Sequence, residues 1–201
     1  MKSGFKLGIT GGIGSGKTSV CRVFDVLRVP VFSADREAGK IMENDTDIIS
    51  RINSIAGKDL YSDGYLNRLE LARIIFNDSA LLEKVNSAVH PAVFHRFNEW
   101  SLEQTAPYVI MEAAILFETG ASQLLDRVAT VVAPVEQRVK RVMQRNKLTR
   151  EQVMERMRNQ IDDETRIKQS DYVIYNSEND MIIPVILKIN DDILKLINKH
   201  N

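Results

Sequence analysis

The chain has 201 residues, and its 27 Lys and Arg residues balance 27 Asp and Glu residues, so the formal net charge is zero. This balance gives no case for a general nucleic-acid or membrane partner. The single cysteine, Cys21, excludes an intramolecular disulfide and favours a small buried side chain over a reactive thiol. No segment resembles a signal peptide or a membrane span, so we expect a cytoplasmic protein with one α/β domain and its insertions. No obligate protein partner is evident.

A short β-prone segment, residues 6–10, leads into a glycine-rich stretch. This stretch fits the pattern G-x-x-x-x-G-K-[ST], in which Lys17 and Thr18 take the last two positions. A helix is predicted next, because apolar residues recur at i, i+3, i+4 and i+7: Val20, Val23, Phe24 and Leu27. A flexible Gly/Ser turn could match the pattern by chance, but the order of strand, loop and helix disfavours that alternative.

Loops of this kind bind nucleoside triphosphates. Their backbone N–H groups cradle phosphate oxygens, the lysine reaches the β- and γ-phosphates, and the threonine hydroxyl ligates Mg²⁺. We therefore predict a site for a nucleoside triphosphate with Mg²⁺, in which Thr18 is the metal ligand. The residues of this stretch predicted to bind the nucleotide are Gly11, Gly12, Ile13, Gly14, Ser15, Gly16, Lys17, Thr18 and Ser19.

Four more β-prone segments follow and alternate with helical patterns. The candidate strands are Lys6–Thr10, Val29–Ser33, Tyr108–Glu112, Arg127–Ala133 and Tyr172–Tyr175. The last helix carries an apolar stripe from Ile182 to Leu196, and Pro184 is tolerated in its first turn. This alternation predicts an α/β fold with a five-stranded parallel sheet flanked by helices.

Two stretches are too long for a simple crossover between strands. Residues 36–103 carry apolar helical stripes and predict an inserted helical substrate lobe, in which Pro91 is expected to end a helix at His90. Residues 138–168 hold ten Lys or Arg against five Asp or Glu and predict a helical lid, with a capping box at Thr149 and Gln152. The remaining residues, 1–35, 104–137 and 169–201, are predicted to form the nucleotide core of a single domain.

Several charged side chains are candidates for chemistry near the loop. Asp35 follows the second strand and suits a general base or an orienting carboxylate, but it also suits a helix N-cap. Glu112 ends the third strand and could orient a magnesium-bound water or serve only as a strand-end carboxylate. Arg141 and Arg145 share one helix face and could stabilise a transferring phosphoryl group, although most such charge runs are solvated surfaces.

Three classes of phosphate-loop protein are compatible with these features: a small-molecule kinase, a GTPase switch and an ATPase module. The N-K-x-D and D-x-x-G motifs of GTPases are absent from the sequence. An ATPase motor is typically larger. The inserted lobe, the basic segment and the acid after the second strand favour a small-molecule kinase.

The ordered motifs resemble those of the dephospho-coenzyme A kinase family over nearly the whole chain. The motifs that carry the resemblance are residues 7–18, Ala34-Asp35, residues 63–68, Val89-His90-Pro91, residues 115–118, Gln137 with Arg141 and Arg145, Gln160, and residues 171–176. Ser33 stands where the family usually has aspartate, and Ala114 stands where it usually has proline. Neither departure removes a chemical group that the reaction requires.

The resemblance implies transfer of the ATP γ-phosphate to the 3′-hydroxyl of dephospho-CoA, with ATP and dephospho-CoA as partners. It implies that Asp35, Lys17 and Arg141 are catalytic. It adds Arg145 and Asn176 to the nucleotide site, Asn176 lying where related kinases hold adenine. The residues that it implies for the substrate site are Thr10, Asp35, Arg68, His90 and Leu116, with a structural role as the alternative for His90.

Overall fold

The computed structural model describes residues 4–76 and 78–199, which form two compact units. The first unit takes its described residues from 1–33 and 101–201, and the second takes them from 34–100. Residues 1–3, where a signal peptide would begin, lie outside the described residues. No helix of the described part of the chain is long and apolar enough to span a bilayer.

The strands, numbered along the chain, are β1 (Phe5–Thr10), β2 (Val31–Ser33), β3 (Tyr61–Ser62), β4 (Tyr65–Leu66), β5 (Tyr108–Glu112), β6 (Arg127–Val132) and β7 (Tyr172–Tyr175). The helices are α1 (Lys17–Val26), α2 (Ala34–Asn44), α3 (Thr46–Ala56), α4 (Arg68–Phe76), α5 (Ser79–Leu102), α6 (Val135–Asn146), α7 (Arg150–Arg158), α8 (Asp163–Lys168) and α9 (Ile182–Lys199). A short 3₁₀ helix spans Ala121–Leu124.

The first unit is built on a five-stranded sheet with the strand order β2-β5-β1-β6-β7. All four neighbouring pairs run parallel, so the carboxyl ends of the strands meet along one edge, where the loop after β1 also lies. The sheet and its helices confirm the predicted fold class. Strand β2 begins two residues later than predicted, and β6 ends one residue earlier.

One face of this sheet packs against α1 and α9 to form the main core. Leu7 and Ile9 of β1 are fully buried there with Phe24 of α1. The predicted stripe of α9 contributes Ile186 and Ile193, both fully buried, and Pro184 lies in the first turn of that helix as expected. Helices α1 and α9 are therefore fixed by the apolar periodicity that the sequence displays.

The second unit contains α2 to α5 up to residue 100, together with the hairpin of β3 and β4. Asp63 and Gly64 connect the two strands with φ angles of 52° and 82°. Two consecutive positive φ values are typical of the type I′ hairpin turn, for which Asp-Gly is a preferred pair. The Tyr61 hydroxyl donates to the Met42 carbonyl at 2.7 Å and fastens the hairpin to α2.

The prediction that Pro91 ends a helix at His90 is wrong. Helix α5 continues from Ser79 to Leu102 with Pro91 inside it. Proline removes one backbone donor, which costs helix stability. Burial offsets that cost, because α5 places four large apolar side chains in the interior at a spacing of four residues: Val85, Val89, Val93 and Phe97.

The burial of α9 predicts a large difference between two isoleucines of that helix. Ile193→Ala removes a side chain that is fully buried, and we expect a loss of about 2–5 kcal/mol in the free energy of unfolding. Ile183 is 56% exposed, so Ile183→Ala is the matched control and should stay within about 0.5 kcal/mol of the parent. Urea unfolding measures both, and equal losses would contradict the packing described for α9.

Candidate active site

The loop from Gly11 to Gly16 turns the chain from β1 into α1. Gly11, Gly14 and Gly16 have φ angles of 150°, 77° and 99°, a region that side chains rarely adopt. Gly16 is the N-cap of α1 and supplies no side-chain hydrogen bond to it. The first N–H groups of α1 consequently point toward the loop with the positive end of the helix dipole, an arrangement that attracts anions.

Lys17 folds back over this loop. Its Nζ donates to the Gly11 carbonyl at 2.8 Å, and the Ser15 N–H donates to the Gly12 carbonyl at 3.0 Å. The ammonium group therefore lies beside the backbone that would surround the phosphates. Thr18 and Ser19 follow in the first turn of α1 and are exposed.

The segment after β6 brings Arg141 to the same loop, but it does not bring Arg145. The Arg141 guanidinium lies 3.4 Å from the Gly14 and Ser15 carbonyls and donates to the Asn176 carbonyl at 3.0 Å. Arg145 lies one turn further along α6 with an exposed side chain, and its Nε donates to the neighbouring Asn146. Arg141 and Arg145, which the sequence predicts to share one helix face, therefore have different surroundings: Arg141 contacts the loop, and Arg145 is exposed to solvent.

Asn176 comes directly after β7 and holds the loop with its side chain. Its Nδ2 donates to the Ser15 carbonyl at 2.7 Å, while its backbone N–H donates to Val132. A Cβ added to Gly16 would lie 2.0 Å from that Nδ2, so the glycine is required both by its φ angle and by the approach of Asn176. The resemblance assigned Asn176 to the adenine region, and its amide hydrogen bond to the loop is a finding that the sequence did not indicate.

Polar groups also gather at the carboxyl ends of β2 and β5. Ser33 pairs with Glu112, and the Ser33 hydroxyl donates to Glu112 Oε2 at 3.0 Å. The serine that departs from the family pattern thus acts as a hydrogen-bond donor to a carboxylate. An aspartate at this position would instead bring a second negative charge beside Glu112.

Thr10 and Leu116, both predicted substrate residues, are fully buried. The Thr10 hydroxyl has no hydrogen-bond partner among the described residues. A methyl group on Gly8 would lie 2.9 Å from Leu116 Cδ1, which shows how closely this leucine packs under β1. Their predicted contacts with substrate stay predictions.

Three predicted residues belong to the second unit. Asp35 is exposed in the first turn of α2, two residues beyond the end of β2. Arg68 begins α4, and its Nη2 donates to Glu43 at 2.8 Å and to the Gly39 carbonyl at 3.3 Å. The half-buried His90 ring lies 6.2 Å from the Phe94 ring, and burial lowers the pKa of His90, so the imidazole is neutral at pH 7.

The thiol of Cys21 is buried in α1. Burial raises its pKa to about 12, Glu112 adds to that increase, and Lys17 opposes it. The sulfur is therefore a protonated thiol at neutral pH, which confirms the interpretation of Cys21 as a small buried side chain.

Comparison with known proteins identifies the family. The family model described as dephospho-CoA kinase matches residues 5–181. The chain belongs to the dephospho-CoA kinase family. A dephospho-CoA kinase from Bacteroides fragilis is 38% identical over 185 residues, which cover 92% of this chain and 90% of the relative. One from Chlorobium luteolum is 38% identical over 180 residues, covering 86% and 82% of the two chains.

Solved structures agree with this family membership. The crystal structure of TT1252 from Thermus thermophilus has a TM-score of 0.82 at 33% identity and covers 96% of this chain and 98% of its own. A dephospho-CoA kinase from Campylobacter jejuni has a TM-score of 0.69 at 27% identity, with 94% and 97% covered. A shikimate kinase from Acinetobacter baumannii, at 16% identity and a TM-score of 0.54 with 96% and 95% covered, shares the fold alone.

The position of Asn176 predicts how nucleotide selectivity responds to its removal. Asn176→Ala deletes the hydrogen bond to Ser15, and a net loss of about 0.5–1.5 kcal/mol corresponds to a KM for ATP about 2- to 10-fold higher. Because the bond orients the loop and not the base, the KM for GTP should rise by the same factor. Steady-state kinetics with both nucleotides measures this.

The matched control for that prediction is Asn198→Ala, which removes the same side chain from an exposed position near the end of α9 and should leave both KM values unchanged. A change in the ratio of the ATP and GTP values on Asn176→Ala would instead assign the amide to base recognition.

Proposed function

We propose that this chain is an ATP-dependent dephospho-CoA kinase, which transfers the γ-phosphate of ATP to the 3′-hydroxyl of dephospho-CoA and releases coenzyme A and ADP. The observation that carries this proposal is the complete phosphate loop with Lys17 folded over it, in a chain of the dephospho-CoA kinase family. The absence of GTPase motifs supports ATP-dependent small-molecule phosphorylation over a switch function.

The donor half of the site consists of the loop and the start of α1. The loop of residues 11–16 and the first residues of α1, which are Lys17, Thr18 and Ser19, would surround the phosphates, with the Lys17 ammonium on the β- and γ-oxygens. Arg145 and Asn176 complete the proposed nucleotide site. The position of Asn176 beside Ser15 supports its assignment, whereas the exposed side chain of Arg145 must turn toward the nucleotide.

The residues at the start of α1 fit a magnesium ion. Mg²⁺ keeps several waters and takes one or two protein ligands beside phosphate oxygens, and the exposed Thr18 hydroxyl directly follows the loop lysine. Bound there, the ion would neutralise charge on the β- and γ-phosphates. No group of three or more His, Cys, Asp or Glu side chains suited to a metal ion occurs in residues 4–76 and 78–199.

The acceptor half is proposed around Asp35, which would orient the 3′-hydroxyl and accept its proton. Its place two residues beyond the carboxyl end of β2 supports this role, because ligands of open α/β sheets bind beyond strand carboxyl ends. Residues 36–103 are proposed as the substrate lobe, in which Arg68 and His90 are the proposed substrate residues. Thr10 and Leu116 are the proposed substrate residues of the first unit. Arg68 already binds Glu43, so its contribution to substrate requires exchange of that exposed ion pair.

Arg141 is proposed to stabilise the negative charge on the transferring phosphoryl group. Its guanidinium already lies at the Gly14 and Ser15 carbonyls, within the segment 138–168 proposed as a lid. Phosphoryl transfer depends mainly on positioning and charge stabilisation, so a cation fixed at the loop suits this role.

We further propose that the enzyme acts in the cytoplasm, which the single buried cysteine supports.

The function is tested by ADP release from ATP in the presence of different acceptors. We expect turnover with dephospho-CoA and none with adenosine, AMP or shikimate, the last included because shikimate kinase shares the fold. Lys17→Met is the control for contaminating kinases and should abolish the signal. Equal ADP release with no acceptor would assign the protein to the ATPases, and turnover with a different acceptor would overturn the proposed substrate.

The role of Asp35 is tested by Asp35→Asn. Loss of a general base lowers kcat by about 10²–10⁴-fold while the Kd for ATP stays near the parent value. The matched control is Asp47→Asn, because Asp47 lies exposed in the first turn of α3 and the change removes the same charge from a helix start. Near-normal kcat in Asp35→Asn would exclude it as the base.

A further inference from the structure

Arg138 is a buried cation that none of the proposed catalytic roles uses. It lies in α6 and is only 5% exposed. Its Nε donates to the Ile13 carbonyl at 2.9 Å, and its Nη1 donates to Asp163 Oδ2 at 2.8 Å. Burying a guanidinium costs free energy unless hydrogen bonds and an opposite charge compensate for the lost water. The buried position of Arg138 at a loop carbonyl therefore needs an explanation.

A second buried arginine holds the carboxylate that binds Arg138. Asp163, the first residue of α8, accepts from Arg166 Nη1 at 2.7 Å on its other oxygen. Arg166 is 1% exposed, donates to the Ile161 carbonyl at 2.8 Å and lies 4.0 Å from Glu118. Asp163 therefore bridges two arginines, and Glu118 brings the balance of charge in this cluster to zero. Burial lowers the pKa of Arg138 and Asp163 opposes that shift, yet an arginine stays protonated at neutral pH.

The target of Arg138 is a loop residue that is held in three ways. The Ile13 N–H donates to Gln160 Oε1 at 2.8 Å, while its carbonyl accepts from Arg138. The Ile13 side chain packs against a buried apolar cluster of α6 and α7 that contains Val142 and Val153. Both peptide groups that flank Ile13 and its side chain are thus fixed by residues 138–160.

Gly12 provides the space through which Arg138 reaches the loop. A Cβ added to Gly12 would lie 2.0, 2.6 and 3.1 Å from three guanidinium atoms of Arg138, and these are its three nearest neighbours. The φ of Gly12 is outside the left-handed region, unlike those of Gly11, Gly14 and Gly16. The obstacle to a side chain at position 12 is therefore the arginine and not the backbone conformation.

We propose that Arg138 is a positioning residue for ATP: it fixes the Ile13 carbonyl so that the loop N–H groups converge on the phosphates, with Asp163 holding the arginine and Gly12 leaving room for it. The inference rests on the proposed function only for the identity of the nucleotide. It assigns different roles to the two arginines: Arg138 acts through the Ile13 carbonyl, whereas Arg141 is proposed to act on the transferring phosphoryl group.

The test is a double-mutant cycle on ATP binding, measured by calorimetry without acceptor. Gly12→Ala and Arg138→Ala should each raise the Kd for ATP by at least about tenfold, since each removes a charge-assisted hydrogen bond to the loop. The double variant should bind ATP no more weakly than Arg138→Ala alone, because the displaced arginine is already absent. If the two effects multiply, the added methyl acts on the nucleotide directly and the proposal is wrong.

Two further variants serve as a conservative substitution and as a control. Arg138→Lys keeps the charge but lacks the fork that reaches both Ile13 and Asp163, so it should also weaken ATP binding, and it serves if Arg138→Ala does not fold. Glu136→Gln is the control, because it breaks a bidentate pair with Arg150 at the exposed surface of the same helix and should not change the Kd.

A purely structural role would lower the urea midpoint of the Arg138 variants and leave ATP affinity of the folded protein unchanged, which would overturn the proposal. Because the measurement is made without acceptor, it is independent of the substrate assignment. If dephospho-CoA is not phosphorylated, the proposed function is wrong. The double-mutant cycle on ATP binding still decides the role of Arg138 in that case.

Discussion

The phosphate loop must hold a single conformation although four of its six residues, 11–16, are glycine. Glycine loses more conformational freedom on folding than any other residue, and these glycines carry no side chains that could fix the loop from within. Within the loop, the Ser15 N–H bonds the Gly12 carbonyl, and further hydrogen bonds come from side chains outside residues 11–16. Lys17, Gln160, Arg138, Arg141 and Asn176 supply them, and each bonds a backbone group of the loop.

Much of the fold follows from local pattern, because strands and amphipathic helices are defined by neighbours in sequence. Periodicity indicates α1 and α9, and Gly-Lys-Thr after a β-prone segment indicates the loop. The error at Pro91 has a different origin. The local preference of proline for helix ends is weaker here than the stabilisation from burying apolar side chains along α5. That burial depends on tertiary structure, which a local pattern does not contain.

The support of the loop is harder to predict, since its bonds join residues far apart in the chain. Gln160 binds Ile13 across 147 positions, and Asn176 binds Ser15 across 161. Arg138, Arg141 and Arg145 lie on one helix at similar spacing, yet the first is buried, the second reaches the loop and the third is exposed. No local pattern separates them, because what differs is the distance of each from the loop backbone.

The positions of the glycines show how this support constrains the sequence in return. Gly11 and Gly16, the two glycines that the motif fixes, have positive φ angles, and so does Gly14, whereas Gly12 occupies a position that the motif leaves variable and its φ is not in that region. Its small size is set by the guanidinium of Arg138, whose partner Asp163 begins α8. Gly12 is thus constrained by the ion pair of Arg138 with Asp163, which lies more than a hundred residues further along the chain. The segment predicted as a lid therefore contributes a fixed support of the loop through Arg138, as well as the exposed surface around Arg145.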